Sequence, residues 1–149
     1  MHLIRHISLV FLIAHGVFGQ TSEATKVASD VSIRVRIKNI DKIQGQMMLA
    51  VYDSKETFLT DHVVTTAKAP VTGKTMVLHV SGLQVSHSYA ISTYHDVNGN
   101  GKLDTNLMSI PTEPFGFSNN NLGLIPIPNY QKSTFMIDRK TEEIEIRLR

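Results

Sequence analysis

Apolar residues fall at every second position between 31 and 38, where Val31, Ile33, Val35 and Ile37 alternate with Ser32, Arg34, Arg36 and Lys38. A period of two puts alternate side chains on opposite faces of an extended strand, so the segment buries its apolar face only as part of a sheet. The same reading extends to residues 47–52, 62–66, 74–80, 88–95, 133–137 and 142–148. Residues 55–61 read as a loop or single helical turn that tucks Phe58 and Leu59 against the core. About seven short strands with almost no helical periodicity predict an all-β, antiparallel, immunoglobulin-like β-sandwich. The turn Ser81-Gly82-Leu83 followed by Tyr89-Ala90-Ile91 resembles the entry into a strand in transthyretin-like sandwiches, an analogy of fold and not of function.

The first nineteen residues have the layout of an export signal. Arg5 lies with His2 and His6 ahead of an apolar run over residues 7–18, and Val17-Phe18-Gly19 offers a cleavage site before Gln20. That run, with His15 inside it, is shorter than the roughly 20 residues a membrane span needs. The expected organisation is a signal peptide over 1–19, a small, polar, flexible leader over 20–30 and a single domain over 31–149. The expected location is the periplasm or the cell exterior, with no membrane span once the signal is removed. Cysteine is absent, which excludes disulfides and thiol chemistry and leaves a bound cation as the available staple for an exported loop. The 15 basic residues are scattered and nearly balanced by 13 acidic ones, a pattern that argues against a nucleic-acid partner.

The run from Asp96 to Asp104 carries oxygen-bearing side chains at alternate positions around a glycine, as calcium-binding loops do. Asp96, Asn98 and Asn100 fill positions one, three and five, Gly101 the sharp turn, Lys102 the carbonyl-donating seventh position and Asp104 the ninth. Position twelve, a bidentate Glu in an EF-hand, is Leu107, and no helical pattern flanks the loop, so a true EF-hand is not expected. Two carboxylates, two amides and a lysine predict weak Ca²⁺ binding, with Kd about 10⁻⁴ to 10⁻³ M. A missing ligand is available from Glu113, Asp53 or Asp61. The metal-free alternative is that Asn98-Gly99 and Asn100-Gly101 are simply tight-turn dipeptides.

A long connection rich in Asn, Gly and Pro follows, between Asp104 and Gln131. Loops beyond roughly 12 to 15 residues in compact domains are functional or disordered, and Phe115, Phe117, Leu122, Leu124, Ile125 and Ile127 favour an ordered one. Phe115 and Phe117, with Tyr130, Asn119, Asn120 and Asn121, read either as a platform on which a sugar stacks or as an aromatic plug closing one end of the sandwich. Asp96, Asp104 and Glu113 offer the carboxylates of a small secreted hydrolase, yet no nucleophile elbow or phosphate loop accompanies them. His95 reads as a packed, hydrogen-bonded structural histidine, and His62, His79 and His87 form no metal-ligand spacing.

Tyr94-His95-Asp96, Asn98, the run from Asn100 to Asn106, Ile110-Pro111, Glu113-Pro114 and Phe115-Gly116-Phe117-Ser118-Asn119-Asn120 closely resemble the bacterial secreted family known as domain of unknown function 2141, over roughly residues 31–148. Members commonly carry glycine where this chain has Ser109. The resemblance implies a secreted or periplasmic β-sandwich and no assigned reaction. The combined expectation is an exported β-sandwich that acts as a calcium-stabilised binding or cell-envelope accessory protein, with an envelope or extracellular ligand such as a glycan. The alternatives are a hydrolase using Asp96, Asp104 and Glu113, or a carbohydrate-binding module using Phe115 and Phe117.

Overall fold

The computed structural model describes residues 30–121 and 129–149. The expected signal and nearly all of the leader lie outside the described residues, as do Leu122, Leu124, Ile125 and Ile127. Eight strands occur in the order β1 (Asp30–Lys38), β2 (Gln46–Tyr52), β3 (Thr65–Pro70), β4 (Met76–Gln84), β5 (Ser88–Asp96), β6 (Phe115–Phe117), β7 (Thr134–Met136) and β8 (Glu143–Arg147). A short helix, α1 (Tyr130–Ser133), and a 3-10 turn at Ser118–Asn120 lie between β6 and β7. Among the described residues no helix is long and apolar enough to cross a membrane.

The strands form two sheets, ordered β4-β1-β8 and β3-β2-β5-β6, with β7 pairing the early part of β5 beside β6. Alternation decides what lies between the sheets. Ile33, Val35 and Ile37 of β1, Leu78 and Val80 of β4, and Ile146 of β8 face Met47, Leu49 and Val51 of β2 and Ile91 of β5 in one buried cluster. Fully burying each such aliphatic side chain contributes about 1.5–3 kcal/mol, enough together to offset much of the ordering entropy of the strands. Tyr89, at the start of β5, accepts the Gln84 backbone N–H on its hydroxyl at 3.0 Å, the corner contact of immunoglobulin-like sandwiches.

The sandwich matches the expected architecture, with differences at particular strands. Strand β3 lies at Thr65–Pro70, a few residues beyond the expected 62–66. Strand β4 continues through the expected turn at Ser81-Gly82 to Gln84. An extra residue enters β4 there, since Val31 pairs with Leu83 but Ile33 with Val80, and Gly82 accepts the required φ of 78° without strain. Strand β6 is an eighth strand inside the long connection, too short for any period to register. Leu59, expected against the core, is 45% exposed, and Phe58 packs on Tyr52, Phe117 and Tyr130, outside the inter-sheet cluster.

β1 and β8 run parallel, the one parallel pair among the described strands, and their outward side chains form an ionic ladder. Arg36 grips Glu143 with Nε at 2.7 Å and Nη2 at 2.9 Å, Arg34 reaches the same carboxylate at 3.2 Å, and Lys38 and Arg147 meet Glu145 at 2.6 and 2.7 Å. The Arg36 hydrogen bond holds the Glu143 carboxyl below its ordinary range, and the Lys38 hydrogen bond does the same for Glu145. A depressed carboxylate contributes stability that is present above its unfolded pKa of about 4.3 and lost as pH falls through its lower folded value. Thermal melts from about pH 6 to about pH 3 should therefore show Tm falling once pH drops below the unfolded carboxylate value, less steeply for Glu143→Gln than for the unaltered protein.

Candidate functional site

Strand β5 ends at Asp96, whose side chain is 1% exposed, and the chain turns there because that carboxylate offers the following amides a set of acceptors in place of a ladder partner. Oδ1 accepts the N–H of Gly99 at 2.8 Å and of Asn100 at 3.1 Å, and Oδ2 accepts that of Gly101 at 2.9 Å. Asn98 and Asn100 repeat the pattern as Asx turns, each Oδ1 accepting the N–H two residues on, from Asn100 at 3.0 Å and from Lys102 at 2.8 Å. The Asn100 N–H is thus shared by Asp96 and Asn98, whose oxygens lie side by side. Both Asn side chains then turn their Nδ2 donors to Asp104, at 2.6 Å from Asn98 and 2.9 Å from Asn100.

The structure therefore brings Asp96, Asn98, Asn100 and Asp104 together, while Lys102 joins the network through its backbone N–H. Of the three further carboxylates considered for the loop, Glu113 is the one that reaches it. Buried to 8% exposure, it accepts the Val97 N–H on Oε1 at 2.8 Å and the Asp104 N–H on Oε2 at 3.1 Å, bracing both ends of the loop. Asp61 lies instead on the outer face of the second sheet, and Asp53 near Tyr130. Among the described residues no three His, Cys, Asp or Glu side chains form a metal-binding group, so a cation here would draw on amide and main-chain oxygens beside its carboxylates.

Two contacts fix the loop to the sandwich. His95 is wholly buried and its Nε2 lies 2.7 Å from the Gln44 carbonyl, so Nε2 carries the proton and donates. Among the described residues its Nδ1 has no hydrogen-bond partner, and the ring lines a cleft of about 350 Å³ with Asp104 and Glu113. His62, His79 and His87 are exposed on separate elements, with His79 on β4. Next to Gln44, Gly45 takes φ 69°, and a Cβ there would stand 2.1 Å from the Asp96 carbonyl oxygen. Tyr94 donates its hydroxyl to the Gly101 carbonyl at 3.1 Å. Partial burial, then the charges of Asp96 and Glu113, raise the Tyr94 pKa and keep it a neutral donor.

The described parts of the long connection, residues 105–121 and 129–131, are tied into the fold piece by piece. Thr105 pairs with Pro111, closing a small hairpin whose tip is held by Asn106 Oδ1, which accepts the N–H of Met108 at 2.9 Å and of Ile110 at 3.1 Å. Ser109 takes φ 59° in this tip, a left-handed conformation that glycine adopts without cost. Phe115 and Phe117 project from the same side of β6, with Phe117 only 4% exposed, and an edge-packed cluster joins them to Phe58, Tyr52 and Tyr130 at centroid separations of 5.3–5.9 Å. Asn119 donates to the carbonyls of Lys132 and Thr134, Asn120 bonds Glu145 and Arg147 of β8, and Asn121 donates to Asn129. Their amides are therefore engaged in stapling the 3-10 turn to its neighbours. Gln44 and Gly45 are parts of the site that carry no motif of their own, and the Tyr94-His95-Asp96 motif does not by itself announce the role of the Tyr94 hydroxyl. A glycine just before a strand and a tyrosine two residues before Asp96 were their only signals.

Two substitutions test this construction. Gly45→Ala should destabilise the fold by more than about 3 kcal/mol, read in denaturant unfolding, because it combines a left-handed backbone with a collision against β5. Glu113→Ala should cost about 1–3 kcal/mol for each main-chain donor left unmatched, and amide exchange should quicken at Val97 and Asp104 before it does in the core strands.

Neither curated proteins nor solved structures returned a match. Residues 35–145 match the family described as an uncharacterized protein conserved in bacteria, DUF2141, and the match takes in β2 to β7 with parts of β1 and β8, the 96–104 loop and the Phe115–Asn120 segment. On that coverage, this chain belongs to the DUF2141 family.

Proposed function

We propose that this protein is an exported β-sandwich binding or cell-envelope accessory module in which Ca²⁺ stabilises the 96–104 loop. One observation carries the reading. The side-chain oxygens at loop positions one, three and five are already oriented by main-chain N–H groups, and the position-nine carboxylate of Asp104 meets the amides of positions three and five. Asp96 Oδ1 is filled by two N–H groups, but Asp96 Oδ2 and the Oδ1 atoms of Asn98 and Asn100 accept one each and keep a lone pair, and a cation meeting these would replace only the two Nδ2–H bonds to Asp104. Such a preformed loop loses little further entropy on binding, which offsets its modest charge. Glu113 supports the structural reading over a hydrolytic one, since each of its oxygens is already engaged by a main-chain N–H of the loop. Location in the periplasm or outside the cell rests on the apolar N-terminal run and suits a weak Ca²⁺ site, since extracellular modules work at Kd of about 10⁻⁴ to 10⁻³ M.

The test is calorimetric titration of chelator-treated protein with Ca²⁺, with Mg²⁺ as control, beside melting curves. At about 10 mM Ca²⁺ and a Kd of about 1 mM, linkage gives about 1.4 kcal/mol of added stability and a Tm rise of several degrees. Asp104→Ala, which removes no main-chain contact made by that side chain, should abolish the rise while leaving the calcium-free Tm within a few degrees. Absence of both heat and Tm shift in the unaltered protein would reduce the loop to a set of Asx turns.

A further inference from the structure

We infer that the trough across the outer face of the β3-β2-β5-β6 sheet is a carbohydrate-binding site. The inference rests on the binding-module reading above and names its ligand class. The two outer faces of the sandwich differ in kind. That of the β4-β1-β8 sheet is covered by the Arg34, Arg36, Lys38, Glu143, Glu145 and Arg147 ladder. On the other sheet, the cross-strand row Thr66–Ala50–Ser92–Phe117 places three small side chains side by side where a solvated sheet ordinarily carries long ones. The next row, Lys68–Met48–Tyr94–Phe115, and Tyr52 on the opposite side form the walls.

The result is a pair of adjoining cavities of about 520 and 280 Å³ that share Tyr52, Ser92 and Tyr94. The first is lined mainly by β3, β2 and β5, the second by β5 and β6, so the trough runs across the strands, roughly 14 Å for three inter-strand gaps. Residues 59–63 border both cavities, Thr60, Asp61 and Val63 at the first and Leu59 at the second. Leu59 holds φ 63° with its side chain 45% exposed, an uncommon conformation for a bulky residue and one met at ligand clamps.

The lining chooses among ligands. Tyr94 and Phe115 offer aromatic surfaces for the C–H faces of a pyranose, while the Thr66 and Ser92 hydroxyls, the Asp61 carboxylate and the Lys68 ammonium meet its hydroxyl edges. An acyl chain would leave those polar groups unmatched, and an extended peptide would pair along a strand edge rather than cross four strands. The loop and the trough are joined: Tyr94 is a wall of the trough and its hydroxyl holds the Gly101 carbonyl, and Glu113 braces the loop two residues before Phe115.

The experiment is isothermal titration of the mature-length protein with tri- to hexasaccharides of glucose, xylose, mannose and N-acetylglucosamine, in millimolar Ca²⁺ and again in chelator. Saturable binding of at least one oligosaccharide is expected. Tyr94→Ala and Ser92→Leu, the first removing a stacking surface and the second filling the floor, should weaken it by at least about tenfold. Arg36→Gln, on the other sheet, should leave it unchanged. If either trough variant loses its fold by circular dichroism, Asp61→Ala and Lys68→Ala, both at exposed positions, give the same reading. No binding by any oligosaccharide, binding indifferent to the trough variants, or displacement of a fluorescent fatty acid in place of sugar binding would overturn the inference. Sugar binding by a protein that shows neither Ca²⁺ heat nor a Ca²⁺-dependent Tm rise keeps the trough and removes the calcium reading, whereas Ca²⁺ binding without sugar binding does the reverse.

Discussion

The backbone ladder of β5 sets most of what surrounds it. Along one edge β5 pairs with β2 from Ala90 to Asp96, and along the other with β7 near its start and β6 further on. Register in a sheet is all or none for side-chain direction, because a slip of one residue would turn every inward group outward. With Ile91, Thr93 and His95 fixed inward, Ser92 and Tyr94 face out, and Asp96 arrives buried at the mouth of the loop. The loop is thus an extension of the ladder by other means, main-chain donors passing from strand partners to the carboxylates of Glu113 and Asp96.

Electrostatics divides the molecule between its two faces. On the first sheet, parallel pairing of β1 with β8 sets Arg34 beside Glu143 and Arg36 beside Glu145, and the long side chains reach diagonally to complete the ladder. Exposed pairs of this kind are individually weak and screened by salt, and they line that face with charges already matched to one another. The second sheet has small side chains in one row and aromatic ones at the margin. Its charge is concentrated at the loop, where Asp96, Asp104 and Glu113 are held by neutral N–H donors rather than by lysine or arginine. Anionic oxygens compensated by dipoles alone can accept a cation without first breaking an ion pair.

The most local features were legible from residues alone. Alternation over 31–38 marked β1 because one residue in two meets the core, and Asp96, Asn98 and Asn100 marked a structured loop because Asx turns act over two to five residues. Strand β6 was not legible: its three residues are held by pairing with β5 and by main-chain bonds between Phe115 and Arg149, far away in the chain. Leu59 was misplaced for a related reason, since its neighbour Phe58 fills the available site against Tyr52, Phe117 and Tyr130 and turns Leu59 outward.

The sequence by itself determined that the chain builds a sheet-on-sheet core and that a turn rich in side-chain oxygens follows the Tyr94-His95-Asp96 strand end, because strand period and Asx geometry are properties of a few adjacent residues. Only the tertiary structure decided that Asn119 and Asn120 staple secondary elements, that Glu113 braces the loop, that Gly45 must admit the Asp96 carbonyl, and that Ala50, Ser92 and Thr66 line up as a floor. Those roles depend on partners brought close by strand pairing and packing, and no local propensity encodes which distant segment will supply them.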